Sequence, residues 1–200
     1  MNELPNKIFF TGAPGSKWSG ISQLLEIMDG VNTTDRSPER EYYDDGFNNG
    51  DVRHAGAYFG PGMEHDAIPE EVHTLYTDPD AGCMLAKSHH WAYMLDSIKQ
   101  YHCDDGWIML VYRPDMVSFA WWLMVGGFKE ITYPDYSWYG TTERMFYEIQ
   151  VQNNAMLKFA YENKLVWESF TVEWCEKMFG AVPDDVMPIW DDVLVTMYKP

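Results

Sequence analysis

Apolar residues fall along this chain in two alternating textures. Short unbroken runs suit strands, and longer stretches with apolar residues every three or four positions suit helices. The run at Ile8, Phe9 and Phe10 predicts a buried strand over residues 7–12, and the spacing after it predicts a helix over 18–29. "CMLAKSHH" reads as a strand and "HWAYMLDSIKQYH" as a helix. "WIMLVYRP" is continuously apolar up to its arginine, as in a strand buried on both faces of a parallel sheet. "PDMVSFAWWLMVGG" opens with proline and closes with glycines, the usual order for a helix. A long helix follows from Thr141 to Lys164, with Thr141 or Thr142 as its cap. "LVWESF" is a further strand, and "TVEWCEKMFG" a helix ended by Gly180. The tail from Ala181 to Pro200 shows no clear period.

Strands alternating with helices predict an α/β domain of three layers, a mostly parallel central sheet flanked by helices. One segment breaks the rhythm. From Val31 to about Pro79 the chain is rich in Asp, Asn, Gly, Pro and Tyr and has no sustained period. It reads as an irregular excursion on a single domain spanning residues 1–200, and such loops often shape a substrate pocket.

Composition narrows the partners. With 31 acids against 14 bases, the formal charge is −17, which repels nucleic acid and anionic lipid. A phosphorylated ligand would need the few cations gathered locally. A content of 46% hydrophobic residues fills the core of one domain, and no apolar run reaches membrane-spanning length. The start "MNELPNK" lacks the marks of a secretory signal. Cys83, Cys103 and Cys175 are odd in number and far apart, as free thiols in a reducing, cytoplasmic compartment would be.

The candidate chemistry lies at the first strand-to-helix turn, "GAPGSKWSG". Unpaired backbone amides and the helix dipole favour an anion at such a turn. Gly12, Gly15 and Ser16 leave room for a phosphate, and Lys17 brings a full charge. The plainer reading is a Gly/Pro turn with a surface lysine. The loop departs from the nucleotide-hydrolase pattern: Gly12 is five residues before Lys17 where that pattern has six, and Trp18 replaces the magnesium-binding hydroxyl. The best strand ends in Arg113, with no acid to help hold magnesium. The expected donor is one that reacts without magnesium, and no metal site is expected. His54, His65 and His73 have no metal-ligand spacing. The aromatic run "SFAWWLM" suits core packing.

Four places, in order, resemble the sulfotransferases, which use 3′-phosphoadenosine 5′-phosphosulfate on a P-loop-like fold. "PGSKWSG" is similar to their first loop, with Pro14 and Ser16 kept and the lysine two places later. "LAKSHHW" resembles their K-T-H strand end, with Lys87, Ser88 and His89 in the matching places. "LVYRPDMVSFAWW" is similar to their third landmark, a strand entering R-x-P and a helix. There the family has a serine eight residues after the arginine; here that position is Trp121, and Ser118 is five residues on. "KLVWESFTVEWCEKMFG" places Glu168 where the family has a late acid. Short acidic chains of this kind also resemble sulfotransferase-like proteins of marine cyanophages.

The resemblance implies a role for each residue. The loop Gly12, Ala13, Pro14, Gly15, Ser16, Lys17, Trp18 and Ser19 would hold the donor. Lys17 would neutralise the departing 5′-phosphate, with Lys87 near the same oxygens. Arg113, and less directly Ser118, would take the 3′-phosphate, and His89 would be the base that accepts the proton of an acceptor hydroxyl. The acceptor would be a small molecule or a sugar. Trp18 suits adenine stacking, the acceptor pocket or plain core packing, and His90 is one residue off the motif. Glu41, Asp44, Asp45 and Glu64 are alternative bases. Two other functions compete: a small-molecule kinase or NTPase with a degenerate loop, and an inactive nucleotide-binding protein of the same fold.

Overall fold

A computed structural model describes residues 4–26, 28, 30–32, 82–102, 104, 106–124, 127, 140–180 and 190–200. Most of the expected excursion, with Glu41, Asp44, Asp45, Glu64 and the three histidines His54, His65 and His73, lies outside the described residues, as does Cys103.

The described strands are β1 (Lys7–Gly12), β2 (Val31–Asn32), β3 (Cys83–Lys87), β4 (Gly106–Tyr112), β5 (Glu168–Phe170) and β6 (Trp190–Tyr198). They form a sheet of order β2-β3-β1-β4-β6-β5. The centre is parallel, with β1 paired to both β3 and β4. β6 runs antiparallel to β4 and to β5, so the sheet is mixed. The tail without a clear period thus supplies a nine-residue strand next to β4.

The helices are α1 (Trp18–Glu26), α2 (Leu95–His102), α3 (Asp115–Met124), α4 (Thr142–Glu162) and α5 (Val172–Phe179). Thr141 caps α4 by accepting the Arg144 amide, and Thr171 caps α5 by accepting the Trp174 amide. The expected helix after the third strand is two pieces. A 3-10 helix, His89–Tyr93, comes first, capped by the Ser88 hydroxyl on the His90 amide, and α2 follows after Met94.

Strand alternation builds two cores. Ile8, Phe10, Leu85, Met109 and Val111 pack against Trp18, Ile21 and Leu25 of α1 and Trp174 and Phe179 of α5. Phe9, Met84, Ala86, Ile108 and Leu110 pack against Trp91, Ile98, Trp122 and Met156. The chain leaves β1 towards β2 and β3, and leaves β4 the opposite way towards β5 and β6. The crevice beyond the carboxyl ends of β1 and β4 is therefore a topological switch point, the usual ligand position in open α/β sheets.

Candidate functional site

The loop after β1 is built by two left-handed residues. The Ser16 amide donates to the Ala13 carbonyl at 3.0 Å, closing a β-turn with Pro14 second and Gly15 third. Gly15 has φ 79°, as a type II turn requires. A Cβ there would also meet the Ser118 carbonyl oxygen of α3 at 2.0 Å, so only glycine fits. Lys17 has φ 63°, and its carbonyl accepts the first helical bond, from the Ile21 amide at 3.1 Å. The left-handed form costs a side-chain-bearing residue about 1–2 kcal/mol. The first turn of α1, Trp18 to Gly20, follows, and its amides have no helical acceptor.

Lys17 and Arg113 come together from opposite sides of the switch point. The Lys17 ammonium lies 4.3 Å from the Trp121 ring centre, and the Arg113 guanidinium carbon 5.6 Å from it. One indole thus serves both cations. Burial first, and then the neighbouring Arg113 charge, lower the Lys17 pKa to about 8, with Asp192 opposing the shift. Arg113 is buried, and each of its three side-chain nitrogens donates a hydrogen bond. Nε donates to Asp192 Oδ2 at 2.8 Å, Nη2 donates to the same oxygen, and Nη1 donates to the Gly15 carbonyl at 3.3 Å. Its backbone carbonyl accepts from Asn153 Nδ2 at 3.0 Å and from Ser118 Oγ at 3.2 Å. The Ser118 hydroxyl is buried at the start of α3 and bonds to Arg113, which makes it a support of the arginine in this structure.

His89 reaches the loop itself. Its Nδ1 bonds to the Gly12 carbonyl, and its ring stacks on Trp18 with centroids 4.4 Å apart. A carbonyl can only accept, so Nδ1 carries the proton and Nε2 is the acceptor of the neutral ring. Trp18 is buried, stacked on Phe10 as well as His89, and belongs to the core. Lys87, also buried, donates to Ser22 Oγ of α1 at 3.1 Å and lies 5.9 Å from the Trp18 ring. His90 is exposed. Glu168 pairs with Lys177 at 3.1 Å on exposed surface of β5 and α5. Ser19 stands in the first turn of α1.

The arrangement brings Lys17, His89 and Arg113 to the carboxyl ends of β1, β3 and β4, around the turn Ala13–Ser16. Two buried donors there, Ser16 Oγ and Trp18 Nε1, have no hydrogen-bond partner among the described residues. Buried polar atoms of this kind commonly mark a water or a ligand. Asp192, which pairs with Arg113, is the candidate-site residue that the sequence reading missed. "DDVLVTMY" carries a short apolar run behind two acids, and pairing it antiparallel to β4 would have set those acids beside Arg113. Burial pushes the Cys83 and Cys175 thiols up to about 12, so neither is a nucleophile near neutral pH. Among the described residues no group of three or more His, Cys, Asp or Glu could hold a metal ion, and no helix is long and apolar enough to cross a membrane.

The chain matches no protein-family model, no curated protein and no solved structure at a significant level.

Proposed function

We propose that this chain is a sulfotransferase on a three-layer, P-loop-like fold. It moves the sulfuryl group of 3′-phosphoadenosine 5′-phosphosulfate to a hydroxyl of a small molecule or sugar. The observation that carries this reading is the bond from His89 Nδ1 to the Gly12 carbonyl. It ties a ring able to accept a proton to the anion-binding turn. In the reaction the acceptor oxygen bonds to sulfur while the bond from sulfur to the 5′-phosphate oxygen breaks. The hydroxyl proton passes to His89 Nε2, and adenosine 3′,5′-bisphosphate leaves. Lys17 faces the charge that develops on the leaving oxygen, the type of contact worth several kcal/mol in a transition state, roughly 3–4. Arg113 is suited to the 3′-phosphate, because its fork binds two oxygens at once. The strong negative charge argues for a neutral or small acceptor, and the buried free thiols suit a cytoplasmic setting.

One observation favours a second reading, a magnesium-dependent phosphotransferase. Asp192 brings a carboxylate to the end of β4, where such enzymes keep an acid. A thermal-shift panel separates the two. Ligands that bind only the folded state raise its melting temperature by mass action. Adenosine 3′,5′-bisphosphate without metal should raise it most; a larger shift with ATP and magnesium would select the second reading. Sulfuryl transfer to water, followed as slow donor hydrolysis, then tests activity directly.

A further inference from the structure

Arg113 already holds an anion, and that anion belongs to the chain. Asp192 Oδ2 accepts from both Nε and Nη2, the same two-pronged edge that a phosphate oxygen would use. The two partners differ sharply in exposure: 7% for the arginine side chain and 45% for the aspartate. The carboxylate therefore sits on the solvent side of the guanidinium. It can return to water at little desolvation cost. Arg113 stays anchored when it does, through Nη1 on the Gly15 carbonyl and through Asn153 and Ser118 on its own carbonyl.

We propose that Asp192 is an internal anion latch on Arg113, which the ligand's phosphate must displace, and that this exchange selects a dianionic phosphomonoester. The proposal rests on the reading above, in which Arg113 takes the 3′-phosphate. The selection follows from charge. Arg113 and Asp192 together carry no net charge. A monoanion that replaces Asp192 leaves that total unchanged and gains nothing over the latch. A phosphomonoester carries about −1.5 to −2 at neutral pH, so it attracts the guanidinium more strongly than a carboxylate does and outcompetes it. A phosphodiester or a sulfate ester, with one negative charge, does not.

Isothermal titration tests this with two probes: adenosine 3′,5′-bisphosphate and the same molecule with its 3′-phosphate methylated to a diester. The wild type should prefer the unmethylated probe by about tenfold or more, within the usual range of coupled sites. Asp192→Asn should tighten both, and the diester more, so that the preference shrinks. Asp192→Ser, which removes the charge without an amide that could bond to Arg113, should act alike. In an Arg113→Ala background Asp192→Asn should have no effect. An effect that persists there reflects a general field and overturns the latch. Equal affinity of wild type and both Asp192 variants overturns the latch but leaves the sulfotransferase reading standing. No binding of the bisphosphate to any variant overturns both.

Discussion

His89 donates from Nδ1 to the carbonyl of Gly12, a residue 77 positions earlier in the chain. The bond fixes the tautomer, and the stack on Trp18 fixes the ring plane. Both follow from parallel pairing of β1 with β3, which ends with the Ser88 amide on the Phe10 carbonyl at 3.2 Å.

His89→Ala is therefore expected to lower donor turnover by about 10²–10⁴-fold, the usual range for a general base. It should also leave the Gly12 carbonyl without this donor, at a stability cost of about 1–3 kcal/mol. His89→Asn keeps a donor near Nδ1 and should recover stability without recovering turnover. Donor hydrolysis and urea unfolding, measured on both variants, separate the two effects. Wild-type turnover in His89→Ala would move the base to the excursion acids Glu41, Asp44, Asp45 or Glu64.

Gly15→Ala should be among the most damaging small substitutions in the chain. The added methyl meets the Ser118 carbonyl at 2.0 Å, and φ 79° strains any L side chain. The turn must move away from α3, which displaces the Gly15 carbonyl from Arg113. A loss of about 1–3 kcal/mol is expected from the backbone alone. Urea unfolding should register it, and affinity for adenosine 3′,5′-bisphosphate should fall with it. Unchanged stability would mean that the turn tolerates a different path.

The centre of the fold was legible in the sequence because its signals are local. Buried strands such as "WIMLVY" need no neighbour to announce them, and Pro114 and Gly180 mark helix ends by their own backbone limits. The α/β class followed from the alternation. The mixed character of the sheet did not, because β6 is defined by pairing with β4, which is a long-range fact. The site divides in the same way. Lys17, His89 and Arg113 each end or follow a recognisable strand, so each could be named. The closure of Arg113 by Asp192, 79 residues on, and its support by Asn153 depend on tertiary packing that no local pattern encodes. Trp18 shows the converse: placed beside the loop, it was open to a stacking role on a ligand, yet its ring is stacked on Phe10 and His89.

Ligand affinity should depend on pH through Lys17. Its pKa is lowered to about 8, chiefly by burial and then by Arg113. A bound phosphate favours the charged amine, so binding above about pH 8 must first add a proton. Affinity should be flat from about pH 7, where the phosphate is dianionic, to pH 8 and fall up to about tenfold per unit above it. Lys17→Met should flatten the profile. Stability has the opposite slope: the unfolded chain keeps the ordinary 10.5, so it binds the proton more tightly than the fold does. The contribution of Lys17 to stability therefore rises from about pH 8 to 10.5 and is constant below. Titrations at pH 7, 8 and 9 in buffers of different ionisation enthalpy would detect the proton uptake directly. Uptake that is unchanged in Lys17→Met would assign it to another group.

Arg113→Lys tests whether the fork or only the charge matters. The guanidinium bonds at once to Asp192, through Nε and Nη2, and to the Gly15 carbonyl, through Nη1. An ammonium is a single point of charge and cannot hold both partners in that geometry. The substitution should thus weaken adenosine 3′,5′-bisphosphate by about 10–100-fold, while adenosine 5′-phosphate, which has no 3′-phosphate, should lose far less. Arg113→Ala should widen the gap between the two ligands. It should also cost stability, because the Gly15 carbonyl loses its donor and Asp192 its cation, although Asp192 is open enough to be rehydrated. The comparison of the two nucleotides is the decisive part. General damage to the loop lowers both affinities together, whereas loss of a 3′-phosphate contact lowers only one. Equal losses for both ligands in Arg113→Lys would remove the arginine from the 3′-phosphate and return it to a structural role, as the clamp that joins β4, the first loop and β6.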